Sequence, residues 1–197
     1  MNEQIFLADN ATSMEPYWDE ATYLLETLVM KAKPFDKDGM DMFFTIGQAS
    51  VKGKKDEKLF REKMREQRPK KSPTLSTDMT LPIEQIFKNY FARWDNYQAR
   101  ISKRKDATEP RLTLIILTDG IWNAMRHSDE VYKYMAEILL PELERRNILR
   151  FRQRPVSIEF VQFGNNDEAT ERLRILDDDM EFKGYKYVVR RICVAQH

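Results

Sequence analysis

Cysteine is nearly absent from this 197-residue chain, with a single copy at Cys193, and histidine occurs only at His127 and His197. One cysteine excludes an internal disulfide framework and suits a reducing, cytoplasmic or other intracellular compartment. Two histidines, one of them terminal, leave almost no candidates for a serine or cysteine nucleophile with a positioned base. Glycine is scarce too: six residues in total, with no glycine-rich loop of the kind that cradles a phosphate. No apolar run approaches the roughly 20 residues that a membrane-spanning helix needs. Nothing at the N-terminus reads as a signal peptide, because the first apolar run, Ile5 to Ala8, is short and ends at Asp9. Charge of one sign is also missing, since 33 Lys and Arg balance 32 Asp and Glu for a net +1. That balance gives no general attraction to nucleic acid or to a membrane surface.

What remains is an ordinary globular composition, 42% hydrophobic and long enough for one well-filled core, so residues 1–197 read as a single domain. Strand and helix patterns alternate. Ile5–Asn10 reads as a buried strand, followed from Glu15 by a helix with Pro16 in its first turn. Apolar residues at helical spacing (Trp18, Ala21, Leu24, Leu25, Leu28, Val29) carry that helix towards Pro34. Met40–Ile46 is a second strand. Residues 52–71 are densely charged, with ten basic residues against four acids. They read as a short solvated helix anchored by Leu59, Phe60 and Met64.

From Leu81 to about Lys105 a long helix places Ile83, Ile86, Phe87, Tyr90, Phe91, Trp94 and Tyr97 on one face. Leu112–Thr118 is the most strand-like stretch, apolar on every side as in the centre of a parallel sheet. A helix capped by Ser128 runs to about Arg146. Val156–Phe163 is a strand, Glu168–Leu176 a short helix and Tyr187–Val194 a last strand, where Cys193 reads as a buried small hydrophobe. Five strands joined mostly by connections too long for hairpins predict a doubly wound, mostly parallel α/β sheet.

In such a sheet the ligand crevice lies at the carboxyl ends of the strands. Two of these strands end in aspartate, Asp9 and Asp119. Ser13 stands in the turn after the first, and Thr77 stands in the loop that opens the long helix. Two carboxylates and two hydroxyls are hard oxygen donors, a set suited to Mg2+ or Mn2+. The Asp177-Asp178-Asp179 triplet offers a second acidic cluster, but at the helix end that disfavours anions.

The ordered stretches "IFLADNATSM", "DGMDMFFT", "STDMTLPI", "LIILTDG", "VSIEFVQFG" and "LRILDDDM" cover nearly the whole chain. Together they resemble a von Willebrand factor type A (vWA) domain, and most closely its intracellular forms from fungi and other lower eukaryotes. The resemblance implies a three-layer, Rossmann-like sheet of six strands with a metal-ion-dependent adhesion site at its top. It maps Asp9 and Ser13 onto the first motif, Thr77 onto the second and Asp119 onto the third. The family's first serine corresponds to Ala11, which offers no oxygen, so a directly bound ligand is lost and a weaker site is expected. Thr12 does not replace it, because neighbouring turn positions point different ways. Trp122 is expected to crowd the rim.

The function implied is a non-catalytic module binding a protein partner through an acidic side chain, with Mg2+ or Mn2+ at the site. Two alternatives are a metal-free docking scaffold of the same fold and a metal-dependent hydrolase or phosphoesterase. The hydrolase needs further acids and a base near Asp9 and Asp119, where Asp78 is the one extra acid.

Overall fold

The computed structural model describes residues 2–36, 38–71, 74–148, 155–178 and 188–193. Among these residues six strands form one sheet: β1 (Asn2–Ala8), β2 (Met40–Phe44), β3 (Ser50–Lys54), β4 (Arg111–Thr118), β5 (Val156–Gln162) and β6 (Val189–Cys193). Their order is β3-β2-β1-β4-β5-β6, and every pair is parallel except β2 with β3. The helices are α1 (Trp18–Ala32), α2 (Glu57–Glu66), α3 (Thr80–Ser102), α4 (Glu130–Lys133), α5 (Leu140–Arg145) and α6 (Asp167–Asp178). The doubly wound, mostly parallel α/β sheet expected from the sequence is the architecture the chain forms.

Alternation along the central strands fixes the layers. Ile5 and Leu7 of β1 join Leu112, Leu114 and Ile116 of β4 in a core beneath α3 and α6, while Phe6 and Ala8 join Leu117 in a second core beneath α1 and α2. Successive strand residues point to opposite faces, so an apolar run buried on both sides needs helices on both sides. Trp18 of α1 and Phe60 of α2 are fully buried in the second core, and burying side chains of this size contributes roughly 2–3 kcal/mol each. The Trp18 indole N–H also donates to the Met64 carbonyl at 2.9 Å, tying α1 to α2.

Several boundaries differ from expectation. β3 has no counterpart in the apolar pattern, because it is an edge strand whose one buried side chain is Val51. Its Lys52 and Lys54 are exposed, as is common where an edge must resist pairing with another chain. In α2, Phe60 and Met64 are buried as expected, but Leu59 is 39% exposed and anchors nothing. Glu15 and Pro16 fall in a 3-10 turn, Thr12–Tyr17, ahead of α1. Ser128 does not cap a helix; Asp129 precedes α4 instead. Between α4 and α5 the residues Tyr134–Leu139 widen into a π-turn. Pro141 has no N–H to return to the preceding turn, which accounts for the local widening.

Part of the charged segment is tied to α1 by ion pairs. Arg61 pairs with Glu26 at 2.7 Å, Lys33 with Glu57 at 3.4 Å, and Arg68 grips Asp19 through both guanidinium nitrogens at 2.6 and 3.1 Å. Asp178 pairs with Arg174 at 3.1 Å, whereas Asp179, the side chain of Cys193 and the expected strand ends Tyr187 and Val194 lie outside the described residues.

Candidate functional site at the carboxyl edge of the sheet

β1 and β4 are neighbours although 103 residues separate Ala8 from Arg111, and Asp9 N–H still donates to Leu117 O at 2.9 Å beyond the last β1 residue. α1 carries the chain from β1 to β2 on one side, while β4 lies on the other. This is the point at which an α/β sheet reverses direction and opens a crevice. Asp9 and Asp119 flank it.

Asp9 is completely buried. Its Oδ1 accepts the Ala11 N–H at 3.2 Å and the Thr77 hydroxyl at 2.5 Å, and its Oδ2 accepts the Thr118 hydroxyl at 2.8 Å. The Thr45 hydroxyl lies 3.2 Å from both Asp9 Oδ1 and Asn10 Oδ1 and 3.1 Å from Thr77 Oγ1, so its one proton serves one of three acceptors. Burial raises the Asp9 pKa, and the donors from Thr77, Thr118, Ala11 and Thr45 oppose that rise.

Asp119 is 2% exposed. Its Oδ1 accepts the Ile121 N–H at 2.9 Å, and its Oδ2 is buried with no hydrogen-bond partner. Burial pushes its pKa up to about 6; the Ile121 N–H opposes this, and the nearby negative charge of Asp9 adds to it. Ser13 lies near enough to lower that pKa, yet its Oγ is buried and not aligned to bond any partner.

The expected oxygen donors therefore converge: Thr77 bonds Asp9, while Asp119 feels both Asp9 and Ser13. Neither hydroxyl is a helix cap. Ser13 lies inside the 3-10 turn that begins after Ala11, and α3 follows Met79 rather than Thr77. Ala11 is buried; its N–H donates to Asp9, and its side chain offers no oxygen. Thr12 Oγ1 accepts the Leu75 N–H at 2.8 Å and donates to Lys70 O, so it pins the neighbouring loop instead of filling the place of the missing serine.

Three residues without an assigned role from sequence belong to this net: Asn10, Thr45 and Thr118. Asn10 ties the β1 and β2 ends together, accepting the Ile46 N–H at 2.8 Å and donating to Ile46 O at 3.1 Å. Each threonine follows or ends an apolar strand, the signal that could have marked them. Trp122 does not crowd the rim. It is 2% exposed, its indole N–H donates to Thr118 Oγ1 at 2.9 Å, and its ring lies 6.0 Å from that of Phe160.

No family model matches the chain, and no curated protein does. Among solved structures, the chain is similar to proximal thread matrix protein 1 of the mussel byssus. It shares 12% identity with a TM-score of 0.52, over 98% of this chain and 44% of that one. A second likeness is to the crystal structure of manganese-loaded Plasmodium vivax TRAP protein, at 17% identity and a TM-score of 0.46, over 98% of this chain and 68% of that one. At 12% identity the likeness to the matrix protein is one of fold.

Among the described residues no group of three or more His, Cys, Asp or Glu is arranged around a cation. A cation here would rest on two carboxylates and two hydroxyls. The donor set fits in its chemistry, because it contains only hard oxygens and two of them, Ser13 Oγ and Asp119 Oδ2, are buried without partners. Buried polar atoms without protein partners are uncommon and costly, and they are commonly met by a bound water or ion. Asp78, the further acid a hydrolase would call on, spends its Oδ1 on the Thr80 N–H at the start of α3.

Proposed function

We propose that this chain is a non-catalytic, intracellular protein-interaction module that receives an acidic side chain of its partner at the edge formed by Asp9, Ser13, Thr77 and Asp119, with Mg2+ or Mn2+. The observation that carries this reading is the pair of buried, unpartnered oxygens on Ser13 and Asp119, beside the junction of Asp9 with Thr77. A bound divalent cation would supply Lewis-acid attraction for the partner's carboxylate. Asp119 and Ser13 would hold it most directly. Thr77 would contribute lone pairs while its proton stays on Asp9, and Asp9 would act chiefly by its charge. The vWA resemblance of the sequence supports the same four residues, and Ala11 in the family's serine position points to a weak site.

A specific observation also favours a second reading, a metal-free docking scaffold. Asp9 is satisfied by protein donors alone, so its half of the edge is stable without an ion.

Thermal unfolding in EDTA and in millimolar MgCl2 or MnCl2 separates the two readings. The metal-dependent module gains several degrees with the ion and loses that gain in Asp119→Ala. An unchanged midpoint in both ions overturns the metal-dependent form and leaves the scaffold.

A further inference from the structure

A groove of about 640 Å³ runs between the segment Ser128–Tyr132 and α6, and none of its lining residues belongs to the oxygen cluster above. Its apolar part is Tyr132, Ile175 and Leu176, and four carboxylates, Asp129, Asp167, Glu168 and Glu171, border it against one guanidinium, Arg172. That guanidinium is already engaged. It donates to Gly120 O and, at 3.2 Å, to Ser128 O, and it lies 5.4 Å from the centre of the Trp122 ring. The groove wall is therefore preformed, which lowers the ordering cost of binding.

The excess of acid is only partly offset locally, Arg172 acting on Glu168 through its charge. Asp129 pairs with Lys133 and Glu171 with Arg174, but both pairs are exposed and hold little energy. Asp167 and Glu168 are exposed and make no salt bridge among the described residues. Favourable interaction with the α6 dipole explains acids in the first turn of that helix, but not the convergence of Asp129 and Glu171 on the same groove.

We infer that this groove docks a basic amphipathic segment of a protein partner. Aliphatic side chains of the segment lie against Tyr132 and Ile175, with Leu176 buried beneath them, and its Lys or Arg side chains lie over Asp167 and Glu168. Apolar anchors in a groove with charges at its border match the way amphipathic helices are received. None of Asp9, Ser13, Thr77 and Asp119 lines this surface, although Arg172 reaches Gly120 O beside Asp119.

The test uses the full chain in EDTA and two labelled helical peptides of one Leu pattern, one with Lys and one with Glu at every polar position. Fluorescence anisotropy is expected to show binding of the Lys peptide, weakened about tenfold or more in the double variant Asp167→Lys/Glu168→Lys and by added salt. The charge-matched control Glu62→Lys/Glu66→Lys on α2 leaves affinity within about twofold, as expected for additive distant sites. Amide shifts in 15N spectra are expected in Ser128–Tyr132 and α6. Equal binding of the two peptides, an unchanged affinity in the double variant, or shifts confined to other elements each overturn the proposal. Self-association of the chain that the double variant abolishes also overturns it, because the groove then belongs to a second copy. Both substituted acids are exposed, and circular dichroism confirms that the variant folds.

Discussion

Asp9 and Asp119 end adjacent strands of one sheet, are equally hidden from solvent, and have opposite surroundings. Asp9 sits inside a closed net, with hydroxyls of Thr77 and Thr118 and the Ala11 N–H directed at its two oxygens and Thr45 within reach. Asp119 has one backbone donor and one oxygen left bare. The first is a joint that fastens β1, β2, β4 and the loop before α3. The second leaves one buried carboxylate oxygen without a protein donor. Burial raises the pKa of both, and what separates them is the number of donors directed at each carboxylate.

Removing the joint should have the largest effect. Asp9→Ala leaves the Thr77 and Thr118 hydroxyls and the Ala11 N–H buried without an acceptor, an expected loss of roughly 3 kcal/mol or more in urea unfolding. A loss below about 1 kcal/mol would break the contrast between the two aspartates.

At Asp119 the sign reverses. A carboxylate whose folded pKa is raised to about 6, above its ordinary 3.8, favours the native state below the lower value. That contribution fades as pH rises through about 6. In EDTA, Asp119→Asn should therefore stabilise the protein at pH 7.5, by roughly 1–3 kcal/mol, and flatten the decline of stability between pH 4 and about 6.5. An equal pH dependence in the variant and the parent would contradict the assignment.

Thr45 comes next, as the hydroxyl that lies between the two strand ends. Thr45→Val keeps the shape and deletes the oxygen, with an expected cost of about 1–2 kcal/mol, most of it from the Asn10 N–H that the hydroxyl accepts at 3.3 Å. The smallest effect belongs to the surface. Arg68→Ala removes the grip on exposed Asp19 and should change stability by less than about 1 kcal/mol.

The contrast also explains what could be read from the sequence. Asp9, Asp119, Ser13 and Thr77 were legible because an acid at a strand end and a hydroxyl in the following loop are local patterns, and a parallel sheet brings such ends to one edge. Which acid would be saturated was not legible. That depends on the register of β1 against β2 and β4, which sets Thr45 and Thr118 beside Asp9. The doubly wound sheet followed from apolar runs buried on both faces. β3 escaped because an edge strand has one buried side chain and carries lysines, a pattern that charge density alone makes resemble a loop. Trp122 was misjudged for a related reason. Its distance from Asp119 in sequence gives no hint that Thr118 Oγ1 and Phe160 draw it inward.

The most direct measurement of the open oxygens is manganese binding by electron paramagnetic resonance, titrated into the chain, into Ala11→Ser and into Asp119→Ala. One ion per chain is expected in the parent. Ala11→Ser should hold it about tenfold more tightly by restoring a hydroxyl donor, and Asp119→Ala should not hold it. No bound manganese in either the parent or Ala11→Ser, or undiminished binding in Asp119→Ala, would contradict the account.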